Sequence, residues 1–275
     1  MSINIAIIGH GYVGKAVDHG FSTSQVEKFI IDPLYGTTLD ELKNKTRLDA
    51  AFVCVPTPFG DDGEIDATIV EDVVNQLEHF NCPIIIKSTV TPDIVNRLYH
   101  QNSNVIYNPE FLTEKNHLDD FINPPMHILG GNPLITRRVQ DLYEKYSQCK
   151  PAQFIHMTAM EASFVKYGIN CFLATKVLWF NQFKDMIDST RDAKYNVIVN
   201  AIGTDPRIGH SHTQVPGPDG KKGFGGACFP KDTNAFANYC GGMFNVLDEV
   251  IRLNNEYRKE YELDDREKEQ KVKYG

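Results

Sequence analysis

The sequence lacks several features that would place it in a specialised class of protein. No apolar run approaches the ~20 residues of a membrane-spanning helix, no basic region precedes the first apolar segment, and nothing repeats. Its six cysteines include no CxxC pair and no zinc-ligand spacing, so we expect reduced thiols, no metal site and a cytosolic protein without a secretory signal. Positive charge is not in excess: the formal net charge of −8 argues against partners such as nucleic acid or an anionic membrane.

The first informative motif is a glycine-rich turn after a buried strand. Ile3–Ile8 is the predicted strand, Gly9-His-Gly-Tyr-Val-Gly14 the turn, and a helix is predicted from Val13 to Phe21. This order is a dinucleotide-binding fingerprint, because the glycines permit a tight turn and close approach of a pyrophosphate. Asp32 ends the second predicted strand, where an acid binds the adenosine ribose and favours NAD over NADP. The alternative is a glycine turn beside a solvated aspartate.

Strands and helices alternate up to about residue 157. Further strands are predicted at Ala50–Val55, Pro83–Lys87, Asn104–Tyr107, His127–Leu129 and Gln153–His156, separated by helices over Ile65–His79, from Pro92 and over Pro133–Ser147. This alternation predicts an α/β fold with a doubly wound, parallel Rossmann-type sheet that binds ligands at the carboxyl ends of its strands. Thr57, Thr89 and Glu110 follow strands and are therefore candidate site residues.

The second part of the chain is predicted to be helical. A long helix is expected from Ala159 to about Ser189 and another from Asn245 to about Tyr261, followed by a tail rich in mixed charge. We expect that tail to be frayed or disordered. The predicted domains are an NAD-binding domain over 1–157, a helical domain over 158–262 and the charged tail 263–275.

A second glycine-rich stretch, Gly223–Asp232, contains a single cysteine. If a helix begins after its glycines, Cys228 and Asp232 share one face of the first turns. A thiol near a helix N-terminus is favoured as the thiolate, which makes Cys228 a candidate nucleophile. The alternative is a glycine turn with a small buried thiol.

Other charged and amide side chains are weaker candidates when each is considered alone. Glu110 and Glu114 are four residues apart and could share acid–base work. Lys166 and Asn170 have the same spacing within the long predicted helix, where two donors could stabilise an oxyanion. Arg207 supplies a cation in a loop. For each of them, an ordinary solvated side chain is the alternative.

Together these motifs resemble the UDP-glucose/GDP-mannose dehydrogenase family. The matching segments occur in the family's order and span nearly the whole chain: Gly9–Gly14, Pro56–Pro58, Ser88–Thr89, Asn108–Glu114, Lys166–Asn170, Asp205–Gly209 and Gly223–Asp232. The resemblance implies an NAD-dependent enzyme that oxidises the C6 alcohol of a nucleotide sugar to a carboxylate. It implies a homodimer in which the helical domain provides dimerisation.

The resemblance also implies a role for each candidate residue. Cys228 would be the nucleophile, Lys166 and Asn170 would hold the oxyanion, and Asp232, Thr89 and Glu114 would move protons or position water. The cofactor would be bound by Gly9, Gly11, Tyr12, Val13, Gly14, Asp32, Pro56, Thr57 and Thr89. The substrate would be bound by Glu110, Phe111, Leu112, Lys166, Asn170, Arg207, Phe224 and Gly225.

The chain departs from the family by ending soon after the last predicted helix, where members usually carry a third domain that closes over the nucleotide. A second chain could supply that domain, binding could be weak, or the substrate could differ. UDP-glucose is the favoured substrate, and GDP-mannose or a UDP-N-acetylhexosamine are alternatives. The other functions considered are a non-catalytic or partner-dependent NAD-binding subunit and a two-electron 3-hydroxyacid dehydrogenase, which needs no cysteine nucleophile.

Overall fold

The structure is a computed structural model that describes residues 2–44, 47–60, 63–113 and 115–274. Its contacts divide the chain into two compact units. Unit 1 contains Met1–Thr57 and Asp66–Lys166, and unit 2 contains Pro58–Ile65 and Tyr167–Gly275. The domain boundaries at 157/158 and 262/263 stay predictions.

Unit 1 is built on one seven-stranded sheet. The strands are β1 Ile3–Ile8, β2 Val26–Ile31, β3 Ala50–Val53, β4 Ile84–Ile86, β5 Val105–Tyr107, β6 Met126–Gly130 and β7 Gln153–Met157. Their order is β2-β1-β3-β4-β5-β6-β7, and β1 to β5 are parallel. The α/β prediction is confirmed. Because β1 to β5 run the same way, their carboxyl ends meet at one edge of the sheet.

Helices cover the sheet on both faces. They are α1 Tyr12–Gly20, α2 Thr68–Leu77, α3 Pro92–Gln101, α4 His117–Ile122 and α5 Pro133–Tyr146. Two separate apolar clusters form the core. One contains Val70, Val74 and Leu98 from α2 and α3, and the other contains Val17 and Val139 from α1 and α5. β1, β3, β4 and β5 contribute side chains to both clusters. They are buried on both faces, which accounts for their continuous apolar sequences.

Two strands, β6 and β7, run in the direction opposite to the prediction. β6 is antiparallel to β5 and parallel to β7, so the sheet is not wholly parallel. The connection from β5 to β6 spans residues 108–125, contains the six-residue α4 and does not return the chain to the opposite edge of the sheet. β6 consequently begins at the edge where β5 ends, and this edge receives the side chain of His127.

The remaining helices are α6 Ala159–Asp188, α7 Tyr195–Gly203, α8 Phe229–Cys240, α9 Asn245–Arg258 and α10 Asp265–Glu269. The division between the units runs through α6, and α7 to α10 belong to unit 2. The core of unit 2 includes Ala174 and Leu178 from α6, Phe224 and Val250.

The expectation of a frayed or disordered tail is wrong. Residues 265–269 form α10, which Asp264 caps through a reciprocal pair of hydrogen bonds with Glu267. Glu267 and Val272 are both buried. Glu267 accepts hydrogen bonds from the N–H of Gly226 and the hydroxyl of Tyr274, which ties the tail to the rest of unit 2.

Within the described ranges, the helices are all too short or too polar to cross a membrane. The cytosolic setting stays a prediction.

The first prediction concerns the packing of α1 on the turn that follows β1. A Cβ at Gly14 would overlap the carbonyl oxygen of Gly9, whereas a Cβ at Gly168, within α6, meets no atom within 4 Å. Glycine-to-alanine changes normally stabilise a helix by about 1 kcal/mol, but overpacking costs about 1–3 kcal/mol. Gly14→Ala should therefore lower the thermal unfolding midpoint, while the control Gly168→Ala should raise it or leave it unchanged. Equal midpoints for the two variants would contradict this account of the turn.

Candidate active site

The fingerprint turn has the geometry that a pyrophosphate requires. Gly9 has φ of +84°, and a side chain there would meet the carbonyl oxygen of Cys54 at 2.7 Å. The space around Gly11 is open to 4 Å, so a ligand can approach its backbone. Tyr12 and Val13 open α1, and the Tyr12 ring stacks on His117 at 4.3 Å. These residues fit a dinucleotide at the N-terminus of a helix.

Asp32 connects the turn to the end of β2. Its buried carboxylate accepts hydrogen bonds from the backbone N–H groups of His10, at 2.5 Å, and Leu34, at 2.9 Å. Each carboxylate oxygen has a further lone pair, so a ribose hydroxyl can still be accepted. Sequence reasoning missed His10, whose ring contacts Tyr35 and Asp18.

A hydrogen bond from Ser88 joins the segments that follow β3 and β4. Ser88 belongs to the matching segment Ser88–Thr89, but the sequence analysis gave it no role. Ser88 is buried and its hydroxyl donates to the carbonyl oxygen of Val55 at 2.6 Å. Thr57 is buried, Pro56 is exposed and Thr89 is half-buried. Ser88 thereby fixes the relative position of the two loops that carry the predicted cofactor residues.

Lys166 and Glu110 form a buried ion pair in unit 1. The ammonium group of Lys166, whose side chain is 3% exposed, donates to the Glu110 carboxylate at 3.1 Å and to the Glu110 carbonyl oxygen at 2.6 Å. It also lies 5.4 Å from the centre of the Phe111 ring. The second oxygen of Glu110 accepts from the N–H of Leu112 at 2.7 Å. The structure therefore joins four predicted residues; the fifth, Glu114, lies outside the described residues.

A second buried lysine, which the sequence did not single out, lies behind this loop. Lys87 donates to Asn108 at 3.1 Å, and the same amide oxygen accepts from the hydroxyl of Tyr143 at 2.8 Å. Burial lowers the pKa of Lys87 to about 8, and burial next to Lys87 lowers the pKa of His127 to about 4. These groups line a cavity of about 140 Å³ within unit 1.

In unit 2, Asp232 is held by two donors. Its side chain is 1% exposed, and its two oxygens accept from the amide of Asn170 at 2.6 Å and from Lys231 at 2.7 Å. Lys231 was missed, although it lies beside Asp232 in the sequence. Two partners with different geometries fix the orientation of this carboxylate.

Cys228 is the N-cap residue of α8. Its carbonyl oxygen accepts from the N–H of Asp232 at 2.8 Å, which places the two residues one turn apart, as predicted. Cys228 is exposed, whereas the other five cysteines are buried or partly buried. Burial raises the pKa of Cys54 and of Cys82 to about 12 and also raises the pKa of Cys149, Cys171 and Cys240. Cys228 is therefore the most accessible thiol for covalent chemistry.

The predicted substrate residues of unit 2 lie in different environments. Phe224 is buried in the core, and its N–H and carbonyl groups both bond to Asn254. Gly225 has no room for a side chain. Arg207 is 86% exposed and pairs with Asp205. Their contacts with substrate stay predictions.

No group of three or more His, Cys, Asp or Glu residues within the described ranges is arranged to hold a metal ion.

Comparisons with known proteins match both parts of the chain to one family. Residues 34–147 match the NAD binding domain of the UDP-glucose/GDP-mannose dehydrogenase family, and residues 160–256 match its central domain. A UDP-glucose 6-dehydrogenase from Rickettsia bellii is 31% identical over 92% of this chain and 67% of its own length. The chain thus spans about two thirds of this relative.

Solved structures agree with this assignment. A UDP-glucose dehydrogenase from Pyrobaculum islandicum is 26% identical, with a TM-score of 0.75 over 93% of this chain and 68% of its own. A 3-hydroxyisobutyrate dehydrogenase from Mycobacterium tuberculosis has a TM-score of 0.73 over 94% of this chain and 95% of its own, but at 16% identity it shares the fold alone. The matches confirm the predicted cofactor, NAD, and the predicted enzyme class, an NAD-dependent dehydrogenase. The chain belongs to the UDP-glucose/GDP-mannose dehydrogenase family.

Proposed function

We propose that this chain oxidises the C6 alcohol of a nucleotide sugar to a carboxylate, with UDP-glucose as the favoured substrate. The observation that carries the proposal is the exposed Cys228 at the N-cap of α8, one turn before a buried carboxylate with two donors. The substrate follows from relatives named UDP-glucose 6-dehydrogenase. GDP-mannose and UDP-N-acetylhexosamines remain the alternatives.

Each residue has a separate task in the proposed reaction. Conversion of the alcohol to a carboxylate consumes one water and releases two hydrides and three protons. Two NAD molecules, bound in turn at Gly9–Gly14 and Asp32, would accept one hydride each. The thiolate of Cys228 forms a C–S bond to the C6 aldehyde and gives a thiohemiacetal, which is oxidised to a thioester. Attack by water then breaks the C–S bond and releases the carboxylate and the thiolate.

The other proposed site residues stabilise charge, move a proton or bind the substrate. Lys166 and Asn170, four residues apart on α6, stabilise the negative oxygen that forms at C6. Asp232 accepts a proton from the attacking water, and its contacts with Asn170 and Lys231 hold it in the required orientation. Thr89 and Glu114 assist in placing the water. Glu110, Phe111, Leu112, Arg207, Phe224 and Gly225 bind the sugar nucleotide.

We also propose that the protein is a homodimer. Phe172, Trp179 and Met186 are all exposed and repeat every seven residues on α6, which forms an apolar stripe along one face. Beside this stripe, Leu178, Trp179, Val246 and Val250 line a groove of about 380 Å³ between α6 and α9. In a two-fold dimer the same patch of both subunits forms the interface, so the proposed partner of this apolar stripe is a second copy of this chain. A different chain that supplies a nucleotide-binding domain is the alternative partner.

The second prediction tests the cofactor site. Asp32→Ala should weaken NAD binding about 10- to 100-fold, because hydrogen bonds to a charged group contribute about 1.5–3 kcal/mol, and should reduce the preference for NAD over NADP. Asp49→Ala is the matched control, since Asp49 also accepts a backbone N–H, from Asn4 at 3.0 Å, but precedes β3. Dissociation constants for both cofactors would be measured by calorimetry. Equal affinity of the unmutated protein for NADP and NAD would show that Asp32 has been misassigned.

The third prediction tests the covalent mechanism. Cys228→Ser should abolish turnover with little change in NAD affinity, and labelled sugar should stay attached to the serine, because an ester hydrolyses more slowly than a thioester. Cys240→Ser, at the other end of α8, is the control and should retain activity. Lys166→Ala should slow both oxidations by about 10²–10³.

The stoichiometry of the reaction separates the candidate functions. Two NADH per sugar, and an adduct on Cys228 alone by mass spectrometry, are expected with UDP-glucose. One NADH per substrate would indicate a simple alcohol dehydrogenase, and none with any nucleotide sugar would indicate a non-catalytic or partner-dependent subunit. Four-electron oxidation by Cys228→Ala would refute the mechanism.

The fourth prediction tests the dimer. Trp179→Lys places a charge in the centre of the apolar stripe and should convert the protein to a monomer at micromolar concentration in sedimentation velocity. Val197→Lys changes an equally exposed apolar residue on α7 and should leave the dimer intact. A monomeric unmutated protein with full activity would exclude the homodimer as a requirement.

A further inference from the structure

The segment 264–274, which we call the strap, packs against residues 223–228, which we call the cysteine loop. The strap contains α10 and is anchored by the buried side chains of Glu267 and Val272. Its backbone also accepts a hydrogen bond at Gln270 from the N–H of Phe59 at 3.2 Å. The strap is therefore fixed in unit 2 at several points.

Glu267 is the centre of the contact between the strap and the loop. Its side chain is 1% exposed, and one oxygen accepts from the N–H of Gly226 at 3.1 Å and from the hydroxyl of Tyr274 at 2.6 Å. The other oxygen accepts from the N–H of Asp264 at 2.9 Å. The bond to Gly226 ends two residues before Cys228, so a side chain remote in sequence holds the backbone next to the proposed nucleophile.

Arg258 completes the contact from α9. It is buried 4.0 Å from Glu267, and its guanidinium donates to the carbonyl oxygen of Gly223 at 3.0 Å and to Asp219 at 2.7 Å. A Cβ at Gly225 would collide with both Arg258 and Glu267. The pair thus occupies the space directly behind the loop and accounts for the glycine at position 225.

The loop needs such support because of its own composition. Gly223 and Gly226 have φ of +74° and +79°. Glycine adopts these conformations at little cost, but it adopts many others equally well. A loop of this kind holds one geometry only when surrounding groups fix it. Burial of Glu267 without its partners would itself be costly, so the strap and the loop stabilise each other.

We propose that Glu267 is a positioning residue. Through it the strap fixes the cysteine loop and so sets the orientation of Cys228 at the N-cap of α8. This inference rests on the proposed role of Cys228 as the nucleophile. Glu267 does not contact the thiol; it acts through the N–H of Gly226. The strap thereby contributes to the rate of the chemical step rather than to cofactor binding.

The fifth prediction compares two substitutions at this position. Glu267→Ala removes the bond from the strap to the N–H of Gly226. It should lower kcat and the rate of Cys228 alkylation by iodoacetamide, by up to about 100-fold for kcat, since small displacements of a reacting group have effects of that size. Glu267→Gln keeps an oxygen that can accept from Gly226 and should restore most of both rates. Alkylation would be followed from pH 6 to 9 by mass spectrometry, with Cys240 as the internal reference.

Controls separate positioning from a general loss of stability. Glu269→Ala changes an exposed acid of the same helix and should leave both rates unchanged. The affinity for NAD should stay within about twofold in all variants. If Glu267→Ala does not fold, Tyr274→Phe, which removes one donor to Glu267, should produce a smaller decrease in both rates.

Two results would overturn the proposal. One is a folded Glu267→Ala variant with unchanged kcat and alkylation rate; the other, if that variant does not fold, is a Tyr274→Phe variant with unchanged rates. Alkylation requires no substrate, so it tests the strap even if the unmutated protein oxidises no nucleotide sugar. Failure of the proposed function and failure of the strap are therefore distinguishable.

Discussion

The carboxylate of Asp232 lies buried between the amide of Asn170 and the ammonium group of Lys231. Burial of an unpaired carboxylate costs several kcal/mol, so α8 can direct this acid inward only because α6 brings an amide to it. The bond from Asn170 fixes the first turn of α8 against the 167–188 part of α6, whereas the bond from Lys231 lies within α8. Because Cys228 is the N-cap of α8, the hydrogen bond between Asn170 and Asp232 also helps to fix the position of the thiol.

Buried charged groups at the carboxyl edge of the sheet in unit 1 also require polar partners. Asn108 accepts from Lys87 and Tyr143 and donates to the carbonyl oxygen of Ile128, so its side chain satisfies a buried cation. Two residues later Glu110 pairs with Lys166. Two buried polar clusters therefore hold the segment that follows β5, one at Asn108 and one at Glu110.

Local sequence patterns predicted much of the fold and part of the candidate site. The strand Ile3–Ile8, the glycine turn after it and the position of Asp32 follow from residue types at short spacing. The helix supposed to begin after the glycines of 223–226 is α8, with Cys228 as its N-cap. The reversed direction of β6 could not be predicted, because it depends on the path of the connection through α4. Lys87, Lys231 and Glu267 were missed for a related reason: a charged side chain signals a site only when its burial and its partners are known.

The cysteine loop shows how exposure and rigidity can coexist. Desolvation raises the pKa of five of the thiols. Cys228 is exposed at the N-cap of α8, where the proposed thiolate would be favoured. A glycine-rich loop has many accessible backbone conformations. Here Asn181 and Asn254 bond to the backbone of Gly223 and Phe224, while Arg258 and Glu267 bond to that of Gly223 and Gly226. All four side chains approach from α6, α9 or the strap, so the loop is made rigid by groups other than those that would contact the sugar.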